Sequence, residues 1–447
     1  MGQDEYQKLF PKVRKLTGKK VTLLLGTDAH IEEGSIEQQE RRVGITPNQL
    51  AALKAWLQRA GVFLDCYFVQ GTGARSGFFD GDYLNVGGHL VFEHQLATLP
   101  PPDVVHALKE PCPYEVFIPG PFIRIGALHS GAFDERSGLA SLLKRKNFCA
   151  IFDGSAVGGY SYKHTNGYPI PIRSSMSVFA GEIAVDEVAK NLVKNSGNGK
   201  VVISGGGVVG NSAVNQLLDK WKKNCKEILI VEIDSEKCSW FRQQYKDNYL
   251  IRIVQKDKLN NEDLKGAQGL ILTAFRPGHQ APKVVKLRDL RSLSDNAIIV
   301  DVSIDEKGGI SVPNLDFEKV SLAQVVKRVK DEIDRLGKNL RYIADSHLPR
   351  KYPEQASEAH GKAVLPYLAV LLYLCASEGG PPQAINYILK QICIHNKLSY
   401  FDALVCDLKD GLAYRRPDPI YVSSRMTGVL SNMADFLKRE GIEWKVR

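Results

Sequence analysis

The stretch Val201–Glu232, VVISGGGVVGNSAVNQLLDKWKKNCKEILIVE, constrains this chain more than any other. A short β-branched run, Val201-Val202-Ile203, ends in Gly205-Gly206-Gly207-Val208-Val209-Gly210. Val214, Leu217, Leu218 and Trp221 then recur on one helical face. A second apolar run, Ile228 to Val231, ends in Glu232. Strand, glycine turn, helix, strand and acid is the order of a dinucleotide-binding βαβ unit. Gly205 suits the tight turn out of the strand. Gly207 lets backbone approach a pyrophosphate, and Gly210 lets the helix pack close to the strand. The free N–H groups at the helix start, around Val208 and Val209, would face the phosphates. Glu232 would accept hydrogen bonds from the adenosine ribose and repel a 2′-phosphate, which favours NAD over NADP. The phosphate-loop pattern GxxxxGK[ST] is excluded, because no Lys-Ser or Lys-Thr follows the glycines.

This unit begins after 200 residues of other sequence in a chain of 447, long enough for two domains. Hydrophobic residues make up 44% and charged residues 24%, the balance of a globular protein. The net charge of +9 is spread over short runs such as Lys19-Lys20, Lys144-Arg145-Lys146 and Lys222-Lys223. No aromatic residues interleave them, so nucleic acid is not an expected partner. Eight cysteines are scattered without a CxxC pair, which suggests neither zinc nor a disulfide framework. Reduced thiols and a cytoplasmic location are expected, with no metal. The start, MGQDEYQKLF, lacks an apolar signal core, and Tyr6 stands where myristoylation favours Ser or Thr. Ala363–Ala376 is apolar over only 14 residues and contains Pro366. It reads as a buried helix rather than a membrane span.

Strand-like runs at Lys20–Gly26, Val62–Val69, Val104–Leu108, Ile123–Leu128 and Ala150–Phe152 alternate with helical patterns at Pro47–Ala60 and Leu139–Arg145. That alternation predicts an α/β domain with a mostly parallel sheet. Tyr160–Ile172 reads as a loop and Val178–Leu192 as a helix. After the glycine turn, Tyr249–Val254, Gly269–Thr273 and Ala297–Val300 are further strand candidates. Near Tyr342 the pattern changes to helices at Lys362–Ser377, Gln383–Ile394 and Thr427–Arg439, with Gly379-Gly380-Pro381-Pro382 as a breaker.

Several segments, in order, resemble one family. They are Glu40-Arg41-Arg42-Val43-Gly44-Ile45-Thr46-Pro47, Gly71-Thr72-Gly73 with Asp80-Gly81-Asp82-Tyr83, and Leu108-Lys109-Glu110-Pro111. Leu128-His129, Met176-Ser177 with Ala180-Gly181, the glycine turn and Ala281-Pro282-Lys283 follow. Asp301-Val302-Ser303-Ile304-Asp305, Leu348-Pro349 and Leu365-Pro366-Tyr367 complete the series. Together they resemble the alanine dehydrogenase and pyridine-nucleotide transhydrogenase family of amino-acid dehydrogenases, with lysine-forming saccharopine dehydrogenase as a related branch.

The resemblance implies two Rossmann-like α/β domains with parallel sheets and a cofactor cleft between them. The first is discontinuous, 1–172 plus 345–447, and carries substrate and catalytic residues; the second, 173–344, binds NAD. It also implies roles. Arg42 and Lys109 hold the substrate carboxylate, and Lys109 stabilises developing charge. His129 is the acid/base, and Asp305 manages protons near the nicotinamide. Asp301 is read as the structural acceptor of the same segment. Ser177, Arg276 and His347 join the glycine turn and Glu232 on the cofactor.

The expected reaction is reversible NAD-linked oxidative deamination of an L-amino acid. Alanine dehydrogenases carry Tyr two residues before the histidine, where this chain has Ala127, and the chain runs on through a C-terminal portion of its own. A saccharopine- or opine-type dehydrogenase, joining an amino acid to a keto acid, therefore stands as the alternative. A non-redox lyase or cyclodeaminase retaining NAD is the second. The partners expected are an amino-acid or keto-acid substrate and further copies of the chain, as dimer or hexamer.

Overall fold

The structure, a computed structural model, describes residues 14–26, 40–109, 111–126, 138–145, 150–153, 174–192, 199–275, 280–304, 307–317, 319–345, 348–391, 393, 399–410, 412–415, 420–422, 435 and 437–446. These divide into two compact units, 1–175 with 352–447, and 176–351.

The first unit is built on β1 (Lys19–Leu25), β2 (Val62–Val69), β3 (His89–Val91), β4 (Val104–His106), β5 (Ile123–Gly126) and β6 (Ala150–Asp153). All six are parallel, in the order β3-β2-β1-β4-β5-β6. The helix Pro47–Arg59 connects β1 to β2 along the chain. Pro47 opens it where a missing N–H costs nothing, and the Gln49 side chain accepts from the Thr46 N–H. Its Leu50, Leu53, Trp56 and Leu57 lie on one buried face.

The second unit contains β7 (Gly199–Ser204), β8 (Cys225–Glu232), β9 (Ile251–Gln255), β10 (Gly269–Leu272), β12 (Ile298–Asp301) and β14 (Arg341–Ala344). They are parallel in the order β9-β8-β7-β10-β12-β14. Numbered within the unit, that is 3-2-1-4-5-6, the doubly wound order, and the first unit repeats it. The strand order reverses between β7 and β10, which is where such sheets bind ligands. A side ribbon pairs β11 (Val285–Lys286) with β13 (Ile310–Ser311). These two parallel sheets with their helices are the α/β architecture that the sequence led us to expect.

From residue 352 the chain belongs again to the first unit. The helix Pro353–Glu378 buries residues on nearly every face of its second half, against β1 and the helix Pro47–Arg59. It begins well before the expected Lys362. By length and composition it is, among the described residues, the one helix able to cross a membrane, and 78% of its apolar window is buried in the protein. Gly379, at φ +95°, ends it, and Pro381 opens the next helix, Pro381–Lys390.

The C-terminal portion departs from its all-helical expectation. β15 (Leu412–Arg415), β16 (Ile420–Val422) and β17 (Trp444–Val446) extend the first sheet beyond β6. β15 pairs antiparallel with β6 and β16, whereas β17 pairs parallel with β16. The expectation of eight reduced thiols also fails: Cys393 and Cys406 form a disulfide, with Cα atoms 5.8 Å apart. Their spacing matches no motif. They meet because Cys406 lies on the helix Tyr400–Asp410, which packs against Pro381–Lys390.

Candidate functional site

β7 ends at Ser204 and the chain turns through three glycines into the helix Val208–Lys220. Gly205 adopts φ +103°, and a Cβ there would lie 2.8 Å from the Ala274 nitrogen. A Cβ on Gly210 would lie 1.9 Å from the Gly205 carbonyl oxygen, so only glycine lets this helix start so close to the strand. Gly207 differs: an added Cβ meets nothing within 4 Å. Its missing side chain leaves open space beside the helix N-terminus, where Val208 and Val209 begin the first turn.

Glu232, at the end of β8, is almost wholly buried. Its Oε2 accepts the Gly206 N–H, and its Oε1 accepts the Asp234 N–H at 2.9 Å. Each carboxylate oxygen retains a second lone pair for a ligand hydroxyl. Sequence reasoning gave Gly206 no role, yet a Cβ there would lie 2.6 Å from the Phe241 ring and 3.0 Å from Glu232 Oε2. Thr273 Oγ1, beyond β10, donates to the Ser204 and Gly205 carbonyls, both at 2.9 Å. It pins the turn at the point where the strand order reverses. Ser177 is half-buried on the helix Ser174–Leu192, whose Gly181 lies close under the Val209 carbonyl.

In the first unit, Arg42 and Lys109 meet on a carboxylate that the sequence did not single out. Glu40 has no exposed side-chain surface. Arg42 Nε donates to its Oε1 at 2.6 Å and Nη2 to its Oε2 at 2.7 Å. Lys109 Nζ lies 3.3 Å from the same Oε2. Burial alone would raise the Glu40 carboxyl. The Arg42 hydrogen bonds and the charges of Arg42 and Lys109 outweigh it and hold Glu40 well below the usual carboxylate range. Arg75 adds another half-buried guanidinium, with Nη1 3.4 Å from the Glu40 carbonyl oxygen.

Two further histidines border this cluster. The rings of His106 and His360 are fully buried and nearly parallel, 6.1 Å between centroids. His106 Nδ1 lies 3.0 Å from the Ile125 carbonyl oxygen; His106 Nε2 and both His360 nitrogens have no hydrogen-bond partner among the described residues. Burial, and then neighbouring positive charge, keeps both rings neutral, His106 with its pKa lowered to about 4. His106 sits within the apolar run Val104–Leu108 and His360 between Glu358 and Lys362, and neither belongs to a motif in the sequence.

His129, Asp305, Arg276 and His347, together with Ala127, lie outside the described residues. Asp301 is a buried acceptor. It takes hydrogen bonds from Ser303 Oγ at 2.7 Å, Gly309 N at 3.0 Å and Tyr342 Oη at 3.2 Å. Lys283 is spent on structure too: it donates to the Lys307 and Gly308 carbonyls and lies over the Phe317 ring. No cluster of metal ligands occurs among the described residues.

Residues 185–386 match the family model of the alanine dehydrogenase/PNT C-terminal domain. The alanine dehydrogenase of Bacillus subtilis (strain 168) is 26% identical over 289 residues, which cover 61% of this chain and 70% of that one. A solved L-alanine dehydrogenase superposes with a TM-score of 0.60 at 20% identity, over 93% of this chain and 100% of that one. A transhydrogenase from Sinorhizobium meliloti gives 0.56 at 16% identity, over 79% and 95%. The two superpositions establish the fold, and the sequence relatives carry the likeness to amino-acid dehydrogenases.

Proposed function

We propose an NAD-dependent L-amino-acid dehydrogenase, on the likeness of residues 185–386 to the alanine dehydrogenase/PNT C-terminal domain. The reaction is reversible oxidative deamination: amino acid, NAD⁺ and water give keto acid, ammonium, NADH and a proton. NAD, when bound, supplies the hydride acceptor.

The space beside Gly207 and the N–H groups that open the helix Val208–Lys220 fit a pyrophosphate. Glu232 has lone pairs left for ribose hydroxyls, and its charge disfavours a 2′-phosphate. Exposed Ile233, after β8, gives an adenine ring an apolar face. The observation that carries the amino-acid reading is the Glu40–Arg42–Lys109 cluster. A half-buried guanidinium and ammonium converge there on Glu40, and these are the two side-chain types that grip a substrate carboxylate. In this reading Lys109 also opposes charge developing on the carbonyl oxygen. His129 and Asp305 manage the protons.

An opine-type reaction, in which an amino acid replaces ammonia as the amine donor, is the second reading. Arg75 favours it, since a further cation beside Glu40 suits a substrate with a second carboxylate. One experiment tests both: NADH oxidation across a panel of keto acids, with ammonia and with amino acids as separate donors. Consumption with ammonia supports deamination chemistry, and consumption only with amino acids supports the opine type. NADH left unconsumed throughout refutes both.

A further inference from the structure

The largest fully buried side chain among the described residues is a charged one, Arg124, in the middle of β5. An arginine in a sheet interior is costly unless its charge and its N–H groups are all occupied. Here Nε donates to Glu115 Oε2 at 2.8 Å, with neither side chain exposed. Nη2 donates to the Lys109 carbonyl at 2.8 Å, and Nη1 to the carbonyls of Ala107 and Ile125. Glu115 Oε1 in turn accepts the Cys112 N–H at 3.1 Å.

Residues 107 and 109 lie just past the end of β4, so the sheet ladder no longer fixes them. Their carbonyls are tied down by this guanidinium instead. Gly126 makes room for it: a Cβ there would lie 2.4 Å from the Ala107 oxygen, 2.7 Å from Arg124 Nη1 and 3.2 Å from the Lys109 oxygen. An apolar residue at position 124 would fill the core more cheaply. It would not hold the backbone from which the Lys109 side chain reaches Glu40.

We propose that the Arg124–Glu115 pair is a positioning device for Lys109, fixing the backbone of residues 107–109 so that Nζ is delivered to the Glu40–Arg42 cluster. The proposal rests on the reading of Lys109 as a substrate-binding residue and specifies how it is held. A displacement of about 1 Å at such a group costs on the order of 100-fold in rate.

The test is the double variant Arg124→Leu/Glu115→Leu, which removes both charges together and so leaves no unpaired ion in the core. Arg124→Lys is its partner: it keeps the ion pair but has no fork to span the carbonyls of residues 107 and 109. Each is measured for thermal melting, NADH affinity, kcat and KM. In addition, the Lys109 amine is followed by NMR after reductive ¹³C-methylation, its signal assigned by loss in Lys109→Arg. We expect a folded double variant with wild-type NADH affinity, kcat/KM down about 100-fold, and a displaced Lys109 methyl resonance. Arg124→Lys should recover only part of each. A folded double variant with wild-type kcat/KM and an unmoved Lys109 resonance would overturn the proposal. The resonance needs no turnover, so a wild-type chain inactive with every donor would refute the reaction and still leave the positioning role decided.

Discussion

Two glycines three residues apart should respond in opposite ways to the same added methyl group. At Gly207 the backbone is extended (φ −72°, ψ −166°), and a Cβ meets no protein atom within 4 Å. Gly207→Ala should therefore fold normally, gaining about 0.4–1 kcal/mol from a less flexible unfolded chain. The methyl would stand in the space assigned to the pyrophosphate, so the Kd for NADH should rise at least about tenfold, roughly 1.4 kcal/mol. At Gly210 the same methyl would lie 1.9 Å from the Gly205 oxygen. The helix would have to move off β7, at a cost of about 1–3 kcal/mol as for other overpacked sites. Thermal unfolding and a fluorescence titration with NADH measure both quantities on each variant. Wild-type NADH affinity in Gly207→Ala would refute the role given to the turn. A wild-type melting temperature in Gly210→Ala would refute the packing account.

Other outcomes follow from the same geometry. Glu232→Gln keeps an acceptor for the Gly206 N–H but loses the charge, so the preference for NADH over NADPH should fall about tenfold in paired titrations, by about 1.4 kcal/mol. His106 should make the fold acid-sensitive. Its folded pKa of about 4 lies below the ordinary 6.5, so the unfolded chain binds the extra proton first. Stability should be complete above pH 6.5 and decline as pH falls toward 4, by about 3 kcal/mol, and His106→Gln should flatten that slope in urea melts. Glu40→Ala strips a buried carboxylate from Arg42 and Lys109 and should destabilise the first unit by about 3–5 kcal/mol in the same melts. Cys406→Ala opens the short Cys393–Cys406 loop and should cost about 3 kcal/mol.

The parts of the fold that were legible in sequence are those with local signals. The run Val62–Val69, set off by Gly61, is a strand with those same bounds. The glycine turn was readable because Gly205 and Gly210 each solve a local steric problem at a fixed offset. β15, β16 and β17 were not legible: strands of three or four residues show no period, and β15 finds its partner β6 from the far end of the chain. The helix Leu322–Asp334 is missing from the sequence expectations although Val325, Val329 and Ile333 recur every four residues behind the Ser321 cap. The limit met at β15 applies at the site as well. Arg42 and Lys109 stand out as cations in recognisable segments, but the carboxylate that joins them is a tertiary contact. Arg124 is one polar residue in an apolar strand and carries no local signal. Its meaning lies in carbonyls of another strand's end and a carboxylate in the turn that follows.

The central claim is hydride transfer to the α-carbon of an amino acid. Its most direct measurement uses NADH deuterated at the transferable C4 position, keto acids, and ammonia or amino acids as donors, with the product examined by mass spectrometry. The account predicts one deuterium at Cα of the amine product, and its loss in Lys109→Ala. A product formed without deuterium, or no product from any donor while NADH binds, would contradict it.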